Sequence, residues 1–196
     1  MDLTKLINSH FDDSIETLRA SAPALTEPTA AAVELLFATL ANNGKILAGC
    51  NGGSTADAQH FIAELVGRFE RDRLPLAGIA LNTDTSIMTA VGNDYGFERV
   101  FERQVAALGQ TGDILVAIST SGNSQNVIRA INVAHERDMV VIALTGKDGG
   151  DIGNMLADTD IHLCVPHHRT MRIQEVHIVL LHALCDGIDA LLLGDT

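Results

Sequence analysis

His60 and Glu64 stand four residues apart, and Gln174 and His182 stand eight apart in a later stretch of the chain. At helical pitch the first two project from one face, and the second two lie about two turns apart on a shared side. Two imidazoles, a carboxylate and an amide brought together from two helices make a donor set suited to a zinc ion with an open coordination position. The same spacings fit two plainer arrangements: a solvated His60/Glu64 surface pair, and a hydrogen-bonded core histidine at His182 inside the run VHIVLLHALCDGI. Spacing alone leaves both open. The remaining histidines, His10, His135, His162, His167, His168 and His177, fit structural or surface positions, with His167 and His168 placed to line a cleft before the last helix.

Two loops carry a different chemistry. Gly49-Cys50-Asn51-Gly52-Gly53-Ser54 joins an apolar run to a helical pattern, and such a turn lets backbone approach a ligand and aims helix amides at an anion. It matches neither GxGxxG nor a Walker A loop, so nucleotide binding is not indicated; a simple tight turn explains it equally well. Ser119-Thr120-Ser121-Gly122-Asn123-Ser124 is also a strand-to-helix connection. Hydroxyls at 119, 120, 121 and 124, with open helix amides, form a neutral phosphate cradle. Helix capping accounts for one or two of those hydroxyls, not for four in six residues.

The elements that must position these groups follow from hydrophobic patterning. Apolar runs at 45–49, 76–81, 113–119, 139–145 and 160–165 alternate with helical patterns at about 55–68, 86–108, 123–137, 151–157 and 169–192. That alternation predicts an α/β fold, a doubly wound five-stranded parallel sheet flanked by helices, with ligands bound beyond the C-terminal ends of the strands. Ahead of the first strand, Leu3, Leu6, Ile7, Phe11, Ile15 and Leu18 predict one helix ended by Pro23. Leu35, Leu36 and Leu40 predict a second over about 28–43, stopped by Asn42-Asn43-Gly44. The expected organisation is one domain over 1–196: an N-terminal helical pair over 1–43, free for contacts between copies, and an α/β core over 44–196.

Composition sets the limits. A net charge of -12, with 13 basic residues and no basic cluster, argues against a nucleic-acid surface. An anionic small substrate needs backbone amides and hydroxyls instead, as the second loop offers. Cys50, Cys164 and Cys185 match neither a zinc ribbon nor a CxxC redox pair, which fits a reducing compartment. The first residues contain acidic side chains and no continuous apolar run, so neither a secretory signal nor a membrane span is expected, and a cytoplasmic location is.

Taken together, Asn51-Gly52-Gly53-Ser54, Asp57-Ala58-Gln59-His60-Phe61 with Glu64, Gly92-Asn93-Asp94-Tyr95-Gly96-Phe97, the loop from Ile118 to Ser124, Leu144 to Gly150, and Arg172-Ile173-Gln174-Glu175-Val176-His177-Ile178 resemble the phosphoheptose isomerases. The serine-rich loop by itself resembles only the wider sugar isomerase (SIS) superfamily. The resemblance implies conversion of sedoheptulose 7-phosphate to D-glycero-D-manno-heptose 7-phosphate, the first step toward nucleotide-activated heptose. It also implies a homotetramer with active sites between subunits and one zinc per subunit. By position it implies a substrate pocket of Asn51, Gly52, Gly53, Glu64 and Gln174, with Asn93 and Asp94 on sugar hydroxyls and Ser119, Thr120, Ser121 and Ser124 on phosphate. His60, Glu64, Gln174 and His182 match the zinc ligands, and Glu64 and His182 the acid/base pair. Two positions depart from the pattern: Cys50 stands where glycine is usual, which adds a side chain near the ligand loop, and Met171 stands where some members carry an acid.

Aldose and ketose interconvert by moving a proton between C1 and C2 through an enediol, which needs a base at carbon and a group that stabilises the developing oxyanion. On the family pattern Glu64 shuttles the carbon-bound proton, His182 serves the oxygens and zinc polarises the carbonyl. A second reading is a binding protein. The bacterial DnaA initiator-associating protein, a tetrameric scaffold without catalysis, is similar over the same length, and Leu184-Cys185-Asp186-Gly187-Ile188-Asp189 resembles that branch too. A scaffold has no use for both Glu64 and His182, so their presence favours the enzyme.

Overall fold

The five apolar runs form five parallel strands: β1 Ile46–Gly49, β2 Gly78–Ala80, β3 Ile114–Ser119, β4 Val140–Gly146 and β5 Ile161–Val165. They associate in the order β2-β1-β3-β4-β5 in a computed structural model that describes residues 1–194. Side chains alternate across each strand. Ile46, Ala48, Val116, Ile142 and Leu144 therefore enter a core on one face, and Leu47, Leu115, Ala117, Val141 and Ala143 enter a core on the other. Strands covered on both faces read as continuous apolar runs, which is why patterning located all five.

The first core is closed by α1 (Leu3–Ala41), α2 (Thr55–Val66) and α7 (Thr170–Leu193), through residues such as Leu36, Phe61, Leu65, Val176 and Leu184. The second is closed by α4 (Val100–Leu108), α5 (Gln125–Glu136) and the short α6 (Gly150–Met155), through Phe101, Val105, Val127, Ile131 and Ile152. Two helices, α1 and α7, are long and apolar enough to cross a membrane by length and composition alone; in this fold α7 packs on the sheet and α1 packs on α7.

Two expectations about helices are corrected. The N-terminal pair is a single helix, α1, that runs through Pro23 and Pro28. Proline removes one helical hydrogen bond and crowds the preceding turn, but Pro23 is exposed, so the freed carbonyl faces outward. Meanwhile Thr17, Ser21, Leu25, Thr29, Ala32 and Leu36 keep one buried stripe continuous past both prolines. The stretch 86–108, expected as one helix, is broken. Helix α3 (Thr85–Tyr95) stops at Gly96, whose φ is +97°, and a 3-10 turn over Phe97–Arg99 leads into α4.

Candidate active site

In the sheet order β1 and β3 are neighbours whose successors leave in opposite directions, β2 to one side and β4 to the other. A crevice opens at such a switch point, beyond the C-terminal ends of the two strands. Gly49 of β1 lies in register with Ala117 of β3, so the glycine-rich loop and the hydroxyl loop are the two lips of that crevice.

The glycine loop is tied down at both ends. Asn51 and Asn126 of α5 exchange amide hydrogen bonds of 2.7 and 2.8 Å. At the other end Gln174 of α7 donates to Ser54 Oγ at 3.0 Å. Between these anchors Gly52 has φ +58°, and a β-carbon there would meet nothing within 4 Å, so its backbone borders open space. Cys50, expected to crowd the loop, instead turns inward: it is 1% exposed and its thiol donates to the Ser54 carbonyl. Its backbone lies outside the left-handed region. Burial pushes this thiol up to about 12, which makes it inert.

In the hydroxyl loop, Ser119 and Ser124 share a hydrogen bond of 2.9 Å. Ser121 Oγ accepts from the Asn123 amide at 3.1 Å. Ser124 occupies the N-cap of α5 without making a side-chain cap bond, so capping does not account for its hydroxyl; the Val127 amide turns back to the Ser124 carbonyl at 3.0 Å, which leaves the Gln125 and Asn126 amides of the first turn to face an anion. Gly122, at φ +69°, lies so close to the turn after β4 that a β-carbon would stand 1.9 Å from the Gly149 carbonyl oxygen. The Ile152 amide donates to the Gly122 carbonyl at 2.9 Å and the Asp151 amide to Asn123 Oδ1 at 3.0 Å. The loop from 146 to 152 therefore walls one side of the hydroxyl loop.

Three of the four expected metal ligands are neighbours. His60 Nε2 lies 2.9 Å from Glu64 Oε1 on α2. The His182 ring of α7 stands edge-on to that of His60, with 5.1 Å between centroids, and Phe69 covers its other side at 5.7 Å. Gln174, on the same helix, is engaged with Ser54. No three His, Cys, Asp or Glu side chains among the described residues converge into a ready cation cage. The donor set nevertheless fits zinc in kind. His60 and Glu64 already hold about the separation of two ligand atoms on one small cation, and the His60 side chain is 44% exposed.

Asn93 and Asp94 hydrogen-bond each other at 2.8 Å on the exposed face of α3, and no hydrogen bond joins them to the other candidate residues among those described. Helix α3 buries none of its own residues.

Sequence reading missed two participants. Asn126, 3% exposed, is legible only once its partner across 75 positions is known. Asp57, in the first turn of α2, has its carboxyl raised by burial, with His60 and a Ser54 hydrogen bond acting against that rise; it borders the same group of side chains. Four of the histidines set aside make hydrogen bonds away from this group. His177 shares a hydrogen bond with the Thr145 carbonyl, His162 with the Thr145 hydroxyl, His135 with Asp160, and His10 meets Arg172.

Known proteins match this chain along its length. The SIS domain family matches residues 9–146. A phosphoheptose isomerase from Bordetella avium is 72% identical over 196 residues, covering all of both chains. The structure of a phosphoheptose isomerase from Neisseria gonorrhoeae superposes with a TM-score of 0.92 at 58% identity, over 96% of this chain and 100% of that one. One from Francisella tularensis superposes with a TM-score of 0.94 at 46% identity, over 96% and 99%.

Proposed function

The chain belongs to the phosphoheptose isomerases of the SIS-domain family, and from that premise we propose that it interconverts sedoheptulose 7-phosphate and D-glycero-D-manno-heptose 7-phosphate through an enediol. The observation that carries the reading is the double tether of the glycine loop. Asn51 joins it to the helix that follows the hydroxyl loop, and Ser54 joins it to the helix that bears Gln174 and His182. One loop thus borders both a place for phosphate and a place for proton transfer.

Ser119, Thr120, Ser121 and Ser124 hold the phosphate with the first amides of α5. Gly52 and Gly53 let the sugar approach the backbone, Asn51 contributes main chain because its amide is spent on Asn126, and Gln174 closes the side toward α7. Asn93 and Asp94 take sugar hydroxyls. Glu64 removes a proton from C1 of the ketose, the electron pair forms the C1–C2 double bond of the enediol, and the proton is returned at C2. His182 carries the accompanying proton between the two oxygens. His60, Glu64, Gln174 and His182 would hold one zinc per subunit, and when bound the ion polarises the carbonyl.

The chain works as one domain in a homotetramer, with sites between copies. The support is the unburied α3 and the exposed Leu3, Ile7, Phe11 and Ile15 of α1. The three free cysteines and a phosphorylated substrate support a cytoplasmic location. The scaffold reading is not favoured, because relatives at 60–72% identity over nearly the whole chain are phosphoheptose isomerases. Turnover of sedoheptulose 7-phosphate by the purified protein, with zinc, with chelator and with Glu64→Gln, tests the proposal. Loss with chelator and in the variant is expected; no turnover under any condition would overturn it.

A further inference from the structure

Helix α2 carries His60 and Glu64 and ends at Val66. A helix end leaves its last carbonyls without intrahelical donors. Gly67 answers one of them, donating to the Ala63 carbonyl at 2.8 Å. Arg73, from the loop that follows, answers the next two: its guanidinium donates to the Glu64 carbonyl at 2.7 Å and to the Leu65 carbonyl at 2.9 Å. A cation there also opposes the negative end of the helix dipole. The remaining edge of the same guanidinium donates from Nε to Asp189 of α7, and both side chains are 2% exposed. Asp189 follows His182 by seven residues, two turns along one face. Arg71, two residues earlier, donates to the Gly194 carbonyl at the end of the same helix.

Stability alone is a poor account of this arrangement. Burying two charges costs about as much as their attraction returns, and apolar pairs of similar size often replace buried ion pairs without loss. What an apolar pair cannot do is hold the Glu64 carbonyl and the His182 face of α7 with a single rigid group. Arginine can, because its planar fork fixes the directions of all its bonds at once.

We propose that Arg73 and Asp189 are positioning residues for the isomerisation, a buried clamp that sets the distance between Glu64 on α2 and His182 on α7. The inference rests on the assignment of Glu64 and His182 made above. It requires that loosening the clamp lower turnover while leaving binding at the phosphate and glycine loops alone.

The test is the double variant Arg73→Met/Asp189→Leu, which removes both charges together, with Arg73→Lys beside it, which keeps the charge and loses the fork. The melting temperature, kcat, KM and zinc retention against a competing chelator are measured for each. The expected result for the double variant is a folded protein with a lower melting temperature, because the Glu64 carbonyl loses its guanidinium donor, and an unchanged KM, with kcat lowered at least about tenfold and zinc held about tenfold more weakly. Arg73→Lys is expected to lose kcat at constant KM and melting temperature. Parental kcat in the folded double variant overturns the proposal; if that variant does not fold, parental kcat in Arg73→Lys overturns it. Glu64→Gln run alongside separates the two readings. Full turnover there removes the assignment of Glu64, whereas full turnover in the clamp variants with Glu64→Gln inactive removes only the clamp.

Discussion

Asn51 and Asn126 satisfy each other's amides across the switch point of the sheet, each donating to the other's oxygen. Truncating one leaves the other's donor and acceptor part-buried without a partner, at a cost of about 1–3 kcal/mol. Asn126→Ala is therefore expected to lose about 2 kcal/mol in urea unfolding at fixed protein concentration and to raise KM, because the glycine loop loses one of its two anchors. A double-mutant cycle with Asn51→Ala checks this. Additive losses would show that the two amides are not coupled.

Gly122→Ala probes the cradle directly. The added methyl would stand 1.9 Å from the Gly149 carbonyl oxygen on a backbone at φ +69°. Strain and collision together are expected to cost more than about 3 kcal/mol and, in protein that still folds, to raise KM for the phosphorylated sugar. A folded variant with parental KM would mean that this loop does not hold the phosphate.

His177 links stability to pH. Fully buried, and sharing a hydrogen bond with the Thr145 carbonyl, it is lowered by burial from 6.5 to about 4. Between those values the unfolded chain binds a proton that the folded chain does not, so this group's contribution is complete above pH 6.5 and is lost as pH falls toward 4. The loss amounts to up to about 3 kcal/mol. His177→Gln keeps a donor for Thr145 and removes the titration, so its stability is expected to fall less than the parent's between pH 7 and pH 4. Parallel curves would contradict the assignment.

Pro23→Ala tests the reading of α1. The proline is exposed within a continuous helix, and alanine restores the missing amide at a position where the backbone is already helical. A gain of about 1–3 kcal/mol is expected, read as a higher melting temperature. Unchanged stability would mean that the turn around Pro23 is already fully relaxed.

That helix also marks where sequence reading stops. The strands were legible because both faces of the sheet are covered, and the hydroxyl loop stood out because capping accounts for one or two of its four hydroxyls, whereas the glycine loop read equally well as a tight turn. His60 and Glu64 were paired by pitch alone. Local rules misled at Pro23, where the buried stripe of α1, packed against α7, outweighs one missing hydrogen bond. They misled again at Gly96, where a single φ of +97° divides a pattern that periodicity joins. Asn126, Asp57 and the Arg73–Asp189 pair were invisible for a different reason. Asn126 and Arg73 take their meaning from distant partners supplied by the fold, and across 116 residues Arg73 carries no local sign of Asp189; Asp57 takes its meaning from burial, which its local neighbours Ser54 and His60 do not announce.

The fit of Gly122 against Gly149 bears on how this scaffold can be re-engineered. A cradle whose backbone interlocks with its wall is not a modular part. Importing residues 119–124 from a relative with another sugar preference, while leaving 146–152 in place, sets two independently shaped backbones against each other where there is no room for a methyl group. The unit of exchange is the pair of loops, transplanted together with the Ile152-to-Gly122 and Asp151-to-Asn123 hydrogen bonds that join them.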